Sequence, residues 1–115
     1  MDGPPIAVSF DVKIRDGIEF DFRVTNNTPR KLELLFPTGQ THEVVVVDSL
    51  GREVWRWSAG RMFTQSIQNK LVESSATLGW QAAWRSEVPA GRYVAIASLL
   101  SENKPLEERV TFEVR

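Results

Sequence analysis

The sequence predicts an all-β fold, most simply an immunoglobulin-like antiparallel β-sandwich of eight or nine strands. Three observations lead to this prediction. Short segments of alternating apolar and polar residues succeed one another, turn-forming residues separate them at regular intervals, and no segment keeps a helical period over about ten residues. A chain of 115 residues suits one domain, so residues 1–115 are predicted to form a single unit around one core.

The first two predicted strands flank the turn RDG (residues 15–17) and form a hairpin. A two-residue turn would place Ile14 opposite Glu19, an apolar side chain opposite a charge. A three-residue turn places Ile14 opposite Ile18 and brings all the apolar side chains of the hairpin to one face. We therefore expect a type I turn followed by a bulge, with Gly17 in the left-handed conformation.

The middle of the chain supplies three more predicted strands. After the turn NNTPRK, apolar residues alternate again at Leu32, Leu34 and Phe36. After PTGQ, the run HEVVVVD is apolar throughout its middle, which indicates a central strand covered on both faces. The turn DSLG leads to the strand REVWRWS, and a long connection without a clean period follows over about residues 58–70.

Three further strands complete the chain. One face of the first carries Leu78, Trp80, Ala82 and Trp84, and the others follow the turns VPAG and SENKPLE. Tyr93 opens a strand just past a turn, which is the position of a tyrosine corner. If every connection reverses the chain, one end of the sandwich collects loops 15–17, 37–41, 58–68 and 86–91. The other end then collects loops 26–30, 48–52, 74–76 and 101–106.

Composition and charge exclude several classes of function. The net charge is −1 and the basic residues are spread along the chain, so no electropositive surface for nucleic acid is predicted. No apolar run reaches about 18 residues, so no membrane span is expected. The absence of cysteine excludes disulfides and thiolate zinc sites and suits a cytoplasmic protein. The N-terminal residues do not form a signal peptide, although an export signal removed from the chain is an open alternative.

The chain does not carry the residue patterns of an enzyme. His42 is the only histidine, and no serine stands in a G-x-S-x-G context. The carboxylates mostly occupy polar positions of alternating strands, so neither a metal site nor a bound cofactor is predicted. The sequence NNT fits a glycosylation acceptor, but turn chemistry before Pro29 explains it as well. We therefore predict a non-catalytic protein.

Two groups of aromatic and apolar residues have alternative interpretations. Trp55 and Trp57 share one face of their strand, and either fill the core or form an exposed strip beside Arg56. The core interpretation is favoured, and it is favoured more strongly for Trp80 and Trp84. In the connection that follows, Met62 and Phe63 either fold back on the sandwich or stay exposed beside Arg61, a combination typical of interface anchors.

The stretch from Phe22 to Tyr93 resembles the bacterial intracellular proteinase inhibitor family, the BsuPI type. The resemblance is carried by VTNNTPRKLELLFPTGQTHEVVVVDSLGREVWRWSAGRMFTQ and, further on, by PAGRYVA. The signature and core residues that it marks are Asp48, Gly51, Trp55, Trp57, Trp84 and Tyr93. The chain departs from the family at VESSATLGW, where a PGE-like turn is usual.

The resemblance implies a non-catalytic sandwich that inhibits an intracellular, subtilisin-like serine protease. Because inhibition requires an exposed and rigid loop, we expect the partner to bind residues Ser58, Gly60, Arg61, Met62, Phe63 and Gln65. Arg61, Met62 or Phe63 would enter the specificity pocket, and the neighbouring turn would support the loop through Pro37, Gly39 and Gln40. The alternatives are a carbohydrate- or surface-binding module and an adhesion domain that pairs through an edge strand. The protein is expected to be a monomer or a weak dimer.

Overall fold

The computed structural model describes residues 4–115 and, within that range, contains nine β-strands and no helix. Every pair of neighbouring strands is antiparallel. The strands are β1 (Ile6–Arg15), β2 (Gly17–Asn26), β3 (Leu32–Phe36), β4 (His42–Asp48), β5 (Glu53–Arg56), β6 (Gln68–Val72), β7 (Thr77–Trp84), β8 (Gly91–Leu99) and β9 (Leu106–Val114).

Two sheets face each other and enclose the core. One has the order β1-β2-β7, and the other has the order β5-β4-β8-β9. Their inner faces meet through aromatic side chains: the ring centroids of Phe20 and Trp55 are 5.3 Å apart, and those of Trp84 and Tyr93 are 6.0 Å apart. The remaining strands, β3 and β6, form a separate two-stranded ribbon. This arrangement confirms the predicted immunoglobulin-like β-sandwich.

The hairpin of β1 and β2 has the predicted register. Ile14 lies opposite Ile18, and the pairing continues inward with Val12 opposite Phe20. Gly17 has a φ of 106°, and a Cβ atom there would lie only 2.8 Å from the carbonyl oxygen of Trp84. The position therefore requires glycine for both its backbone conformation and its space.

The run HEVVVVD forms β4, which lies between β5 and β8 and is central as predicted. Its inward residues Val44 and Val46 are buried in the core, but Val45 and Val47 on the outer face are only half-buried. The strand is therefore central, but the prediction that both of its faces are covered was wrong, since only the inner face is fully buried.

The connections do not group at the two ends as predicted. Loop 37–41 lies beside the β8–β9 connection, because Leu100 N donates a hydrogen bond to Thr41 O at 2.9 Å. Asp48 pairs with Tyr93, which places the β4–β5 turn beside the β7–β8 connection. Both pairs were expected at opposite ends. The prediction failed because β3 and β6 form a ribbon of their own, so the chain enters β4 at the end where it left β2.

Asn26 joins this ribbon to the sandwich. Its side chain is fully buried, and Nδ2 donates hydrogen bonds to the carbonyl oxygens of Arg30 and Val72, at 2.8 and 2.9 Å. Its Oδ1 accepts hydrogen bonds from the amide and the hydroxyl of Thr28. The sequence NNT is thus explained by turn chemistry, since an acceptor amide of this kind is not accessible to glycosylation.

Tyr93 forms the tyrosine corner that its position predicted. Its hydroxyl donates a hydrogen bond of 2.6 Å to the carbonyl oxygen of Pro89, four residues upstream in the β7–β8 connection. The ring is buried and packs between Trp84 and Phe112. Among the residues that the structure describes, no helix is long and apolar enough to cross a membrane.

Candidate functional site

The connection from β5 to β6 leaves the sandwich through a tight turn. Ala59 N donates to Arg56 O, and Arg61 N donates to Ser58 O at 3.0 Å. Gly60 has a φ of 76°, so the turn requires the backbone freedom of glycine at this position. A Cβ atom there would have no other atom within 4 Å, so the space around Gly60 does not itself require glycine. The loop then continues in an irregular conformation as far as Ile67.

A buried carboxylate, Glu43, holds the start of this loop. Its side chain lies at the start of β4 and is only 7% exposed as a residue. Oε1 accepts a hydrogen bond from Ser58 N at 3.1 Å, and Oε2 accepts a short one from the Ser58 hydroxyl. Gln40 Nε2 and Arg56 Nη1 also donate to Oε2, each at 3.1 Å. One carboxylate thus joins β4, β5, the loop and the neighbouring turn.

The charge state of Glu43 suits this role. Burial by itself raises the pKa of the carboxyl, but the hydrogen bonds from Ser58, Gln40 and Val44 outweigh it and lower the pKa below its usual value. The group is therefore ionised at neutral pH, and its hydrogen bonds are the stronger, charge-assisted kind.

The turn that contains Pro37, Gly39 and Gln40 holds the far part of the loop. Gly39 N donates a hydrogen bond of 2.8 Å to Thr64 O. A Cβ atom at position 39 would lie 2.5 Å from the hydroxyl oxygen of Thr64 and 3.2 Å from its backbone nitrogen, so a larger residue there would push against Thr64. Pro37 is exposed at the start of the turn, and Gln65 is exposed just beyond the contact.

Between these two attachments, the side chain of Met62 points to solvent and that of Phe63 packs against Trp57. Met62 is 96% exposed. Phe63 is half-buried, with its ring centroid 5.9 Å from that of Trp57. The guanidinium of Arg61 lies 4.3 Å from the Trp57 ring centroid, and its Nε donates to Trp57 O at 2.9 Å. Arg61 and Phe63 are therefore both engaged with Trp57.

His42 lies behind Trp57, on the inner face of β4. Its ring centroid is 4.2 Å from that of Trp57 and 4.8 Å from that of Trp80. Nδ1 contacts the Thr41 hydroxyl at 3.1 Å, and Nε2 is buried without a hydrogen-bond partner among the described residues. Burial lowers the pKa of His42 to about 4, with Glu43 opposing the shift and Arg61 adding to it.

The signature residues of the sequence shape the β4–β5 turn and fill the core. Asp48 Oδ1 accepts hydrogen bonds from Leu50 N and Arg52 N and so shapes the β4–β5 turn, in which Gly51 has a φ of 79°. Trp55 is half-buried and stacks between Phe20 and Trp84 in the core. The turn lies at the opposite end of β4 from the loop, so the signature does not form one site.

The structure brings together the loop and the supporting turn that the sequence suggested, but sequence reasoning missed Glu43 and His42. One signal was available. Val45 pairs with Arg56, so continuing the register of the two strands places Glu43 opposite Ser58. An acid opposite a serine and beside an arginine is a candidate anchor. No cluster of three or more potential metal ligands occurs among residues 4–115.

The fold and the loop define a small all-β sandwich domain with a long loop that is held by side-chain and backbone hydrogen bonds. The particular family follows from the comparison with family models. Residues 7–104 match the family described as intracellular proteinase inhibitor, BsuPI, and the chain belongs to that family. The resemblance noted in the sequence is thereby confirmed, and a proteinase inhibitor family suggests a non-catalytic role and a protease as partner.

Solved structures show more distant similarity. A protein described as ApaA from Bordetella pertussis is 14% identical, with a TM-score of 0.40 over 95% of this chain and 89% of that one. A β-glucosidase, EmGH1, from Erythrobacter marinus is 17% identical, with a TM-score of 0.37 over 90% of this chain but 15% of that one. The comparison with curated proteins found no match.

Proposed function

We propose that this domain inhibits a subtilisin-like serine protease by presenting the loop Ser58–Gln65 to the active-site cleft. The observation that carries the proposal is the exposure of Met62, 96%, on a loop that is fixed on both sides. The proposal extends the family assignment to a protease class, a loop and a residue. We place this activity in the cytoplasm, in keeping with the family's description as intracellular.

Attachment of the loop matters because a flexible loop would lose conformational entropy on binding, and that loss weakens affinity. The chain has no cysteine, so no disulfide can limit this loss. Here the limiting contacts are the hydrogen bonds from Ser58 to Glu43 and from Gly39 to Thr64. They fix the loop four residues before and two residues after Met62.

Met62 is a better candidate for the specificity pocket than its neighbours. Arg61 donates to the backbone of Trp57 and covers its ring, and Phe63 packs on the same ring. Either would have to leave these contacts to enter a pocket, whereas Met62 is already exposed. An unbranched, adaptable side chain of this kind suits an apolar pocket.

The proposal is tested by inhibition of a panel of purified subtilisin-like and trypsin-like proteases. We expect inhibition of the former, with the chain intact or cut once between residues 58 and 66 by mass spectrometry. Met62→Ala is expected to raise the inhibition constant by about tenfold or more, which corresponds to about 1.4 kcal/mol or more. Leu50→Ala is the matched control, because Leu50 is a 75% exposed apolar residue in the β4–β5 turn.

If wild-type protein does not inhibit at micromolar concentration, the proposed activity is wrong. If it inhibits but Arg61→Ala, Met62→Ala and Phe63→Ala each leave inhibition unchanged, the loop assignment is wrong. The carbohydrate-binding alternative is not favoured, since it requires a flat aromatic surface. Trp57 is covered by Arg61 and His42, and Trp55 stacks between Phe20 and Trp84.

A further inference from the structure

The residues on the two sides of Met62 contact the same aromatic ring. Before it, the guanidinium of Arg61 lies 4.3 Å from the Trp57 ring centroid, and its Nε donates to Trp57 O at 2.9 Å. After it, the ring centroid of Phe63 lies 5.9 Å from that of Trp57. Met62 itself is almost fully exposed. Trp57 therefore holds the chain on both sides of the side chain that the proposed function presents to a protease.

Trp57 is itself fixed to the sandwich. Its amide donates a hydrogen bond of 2.9 Å to Val44 O in the central strand β4. Behind its ring lies His42, with the centroids 4.2 Å apart, and His42 in turn lies 4.8 Å from the ring of Trp80 on the opposite sheet. Because these contacts do not depend on the loop, the ring keeps its position when the loop is strained or cut.

A cut after Met62 would leave the two pieces of the chain together. Residues 1–62 carry β1 to β5, and residues 63–115 carry β6 to β9. Three antiparallel ladders join them, β2 with β7, β3 with β6 and β4 with β8. Next to the cut, Gly39 in the first piece donates a hydrogen bond of 2.8 Å to Thr64 O in the second. The new ends would therefore stay near each other.

We propose that Trp57 makes this loop an inhibitor instead of a substrate, because it holds the ends of an opened Met62–Phe63 bond together until the protease reseals it. The inference rests on the proposed function, since it takes Met62 as the residue in the specificity pocket. Trp57 is a positioning residue: it acts through Arg61 and Phe63 and not on the reacting atoms.

The chemistry of resealing needs only the protease. Its serine oxygen attacks the Met62 carbonyl carbon, the C–N bond breaks, and the serine proton passes through the protease's histidine to the Phe63 nitrogen. Met62 is then an ester on the enzyme. If the Phe63 amine attacks this ester, the peptide bond forms again and the proton returns to the serine. If water attacks, the chain stays cut.

The position of the amine decides between these two outcomes. An ordinary substrate releases its amine to solvent, so water reacts with the ester. Here the amine belongs to Phe63, whose ring packs on Trp57, and the ester belongs to the residue after Arg61, which covers the same ring. Well-oriented groups react as if present at roughly 10⁵ M or more, so an amine held in this way reacts before water does.

Isotope exchange tests resealing on the wild-type protein. The protein is incubated with a catalytic amount of a subtilisin-like protease in water labelled with heavy oxygen, at about pH 8, where much of the new amine is unprotonated. Hydrolysis places the label in the Met62 carboxylate, and resealing carries it into the carbonyl group of the intact chain. We expect mass spectrometry to find the label at Met62 in uncut protein. Label confined to the cut chain, or absent from both forms, overturns the proposal.

Trp57→Leu tests the positioning residue, and Trp55→Leu is the matched control. Trp55 precedes Trp57 by two residues but stacks in the core between Phe20 and Trp84. We expect Trp57→Leu to be cut after residue 62 about tenfold or more faster than wild type, with inhibition fading as the cut chain accumulates. Trp55→Leu should lower the stability of the sandwich and still give lasting inhibition. Equally fast cutting of the two variants would reflect a loosened fold and overturn the proposal.

Should Trp57→Leu not fold, Phe63→Ala carries the test, because it removes only a half-buried loop side chain. It is expected to be cut faster relative to its inhibition constant, and unchanged cutting overturns the proposal. The outcomes also separate this inference from the proposed function. Wild type that does not inhibit overturns both, whereas wild type that inhibits without label in its intact chain overturns resealing alone.

Discussion

At the scale of single residues, the loop depends on one carboxylate whose position the alternating pattern does not reveal. Glu43 stands in an apolar run and, by parity, faces outward with Val45 and Val47. It is nevertheless buried, because Arg56 from β5, Ser58 from the loop and Gln40 from the turn converge on it. Removing a hydrogen-bonded charge of this kind would leave several donors without partners, which costs more than the loss of one contact.

His42 gives a prediction at the same scale. Its folded pKa of about 4 lies below the ordinary value of 6.5, so the unfolded chain binds the proton more readily. The contribution of His42 to stability is therefore fully present above pH 6.5 and is lost as the pH falls from 6.5 to 4, by up to about 3 kcal/mol. The measurement is the urea midpoint at several pH values for wild type and for His42→Phe, which keeps an aromatic ring between Trp57 and Trp80.

The variant should lose most of the pH dependence between pH 6.5 and 5. Carboxylates do not mask this result, because the lowered pKa of Glu43 confines its effect to pH values below about 4.5. If His42→Phe and wild type lose stability in parallel over this window, His42 is not the group responsible. The neighbouring charges that act on His42 are Glu43 and Arg61, and their opposite effects on its pKa partly cancel.

The sequence anticipated the loop through residue type alone. A methionine and a phenylalanine beside an arginine in a long connection indicated a contact surface, and both alternatives for them occur. Met62 stays exposed and Phe63 folds back. What residue type could not decide is which of the two packs, since that depends on where Trp57 lies in three dimensions.

At the scale of elements, the ribbon of β3 and β6 is the part that the sequence did not predict as a unit. The segment QNKLV has one fully buried residue, Val72, and a 62% exposed Leu71, so its apolar residues do not alternate. The hairpin of β1 and β2 shows the contrast. There the apolar residues alternate on both strands and the turn length follows, because any other register would bury a charge.

Asn26 joins the ribbon to the sandwich through buried hydrogen bonds, so its replacement should lower the stability of the whole fold. Asn26→Ala removes the hydrogen bond to the buried end of β6 at Val72, so we expect a loss of about 2–3 kcal/mol in the free energy of unfolding. Asn27→Ala is the matched control: the same substitution at the exposed neighbour should cost less than about 0.5 kcal/mol. Chemical denaturation measures both. Equal effects would show that the buried amide does not hold the ribbon.

At the scale of the whole molecule, the two sides of the sandwich differ, and the difference follows from the chain connections. In an immunoglobulin-like sandwich a further strand can pair with the edge that β7 occupies here. In this protein β6 pairs with β3 instead, which leaves β7 at an edge and places the loop of Trp57 and Arg61 beside it. Strand order could not be predicted from alternation, because alternation specifies the faces of a strand and not its neighbours.

This asymmetry predicts a pattern of amide hydrogen exchange, measured residue by residue by NMR on dilute protein. The amides of β2, β4 and β8, which have a strand on each side, should be the most protected. Asn26 N donates to Ala76 O, and hydrogen-bonded pairs alternate along an antiparallel ladder, so along β7 the amides of Leu78 and Ala82 should be protected by β2 while those of Gly79, Gln81 and Ala83 exchange fast. Uniform protection along β7 in dilute protein would mean that its outer edge is covered. Protection of the fast set that grows with protein concentration would identify the cover as a second copy of this chain.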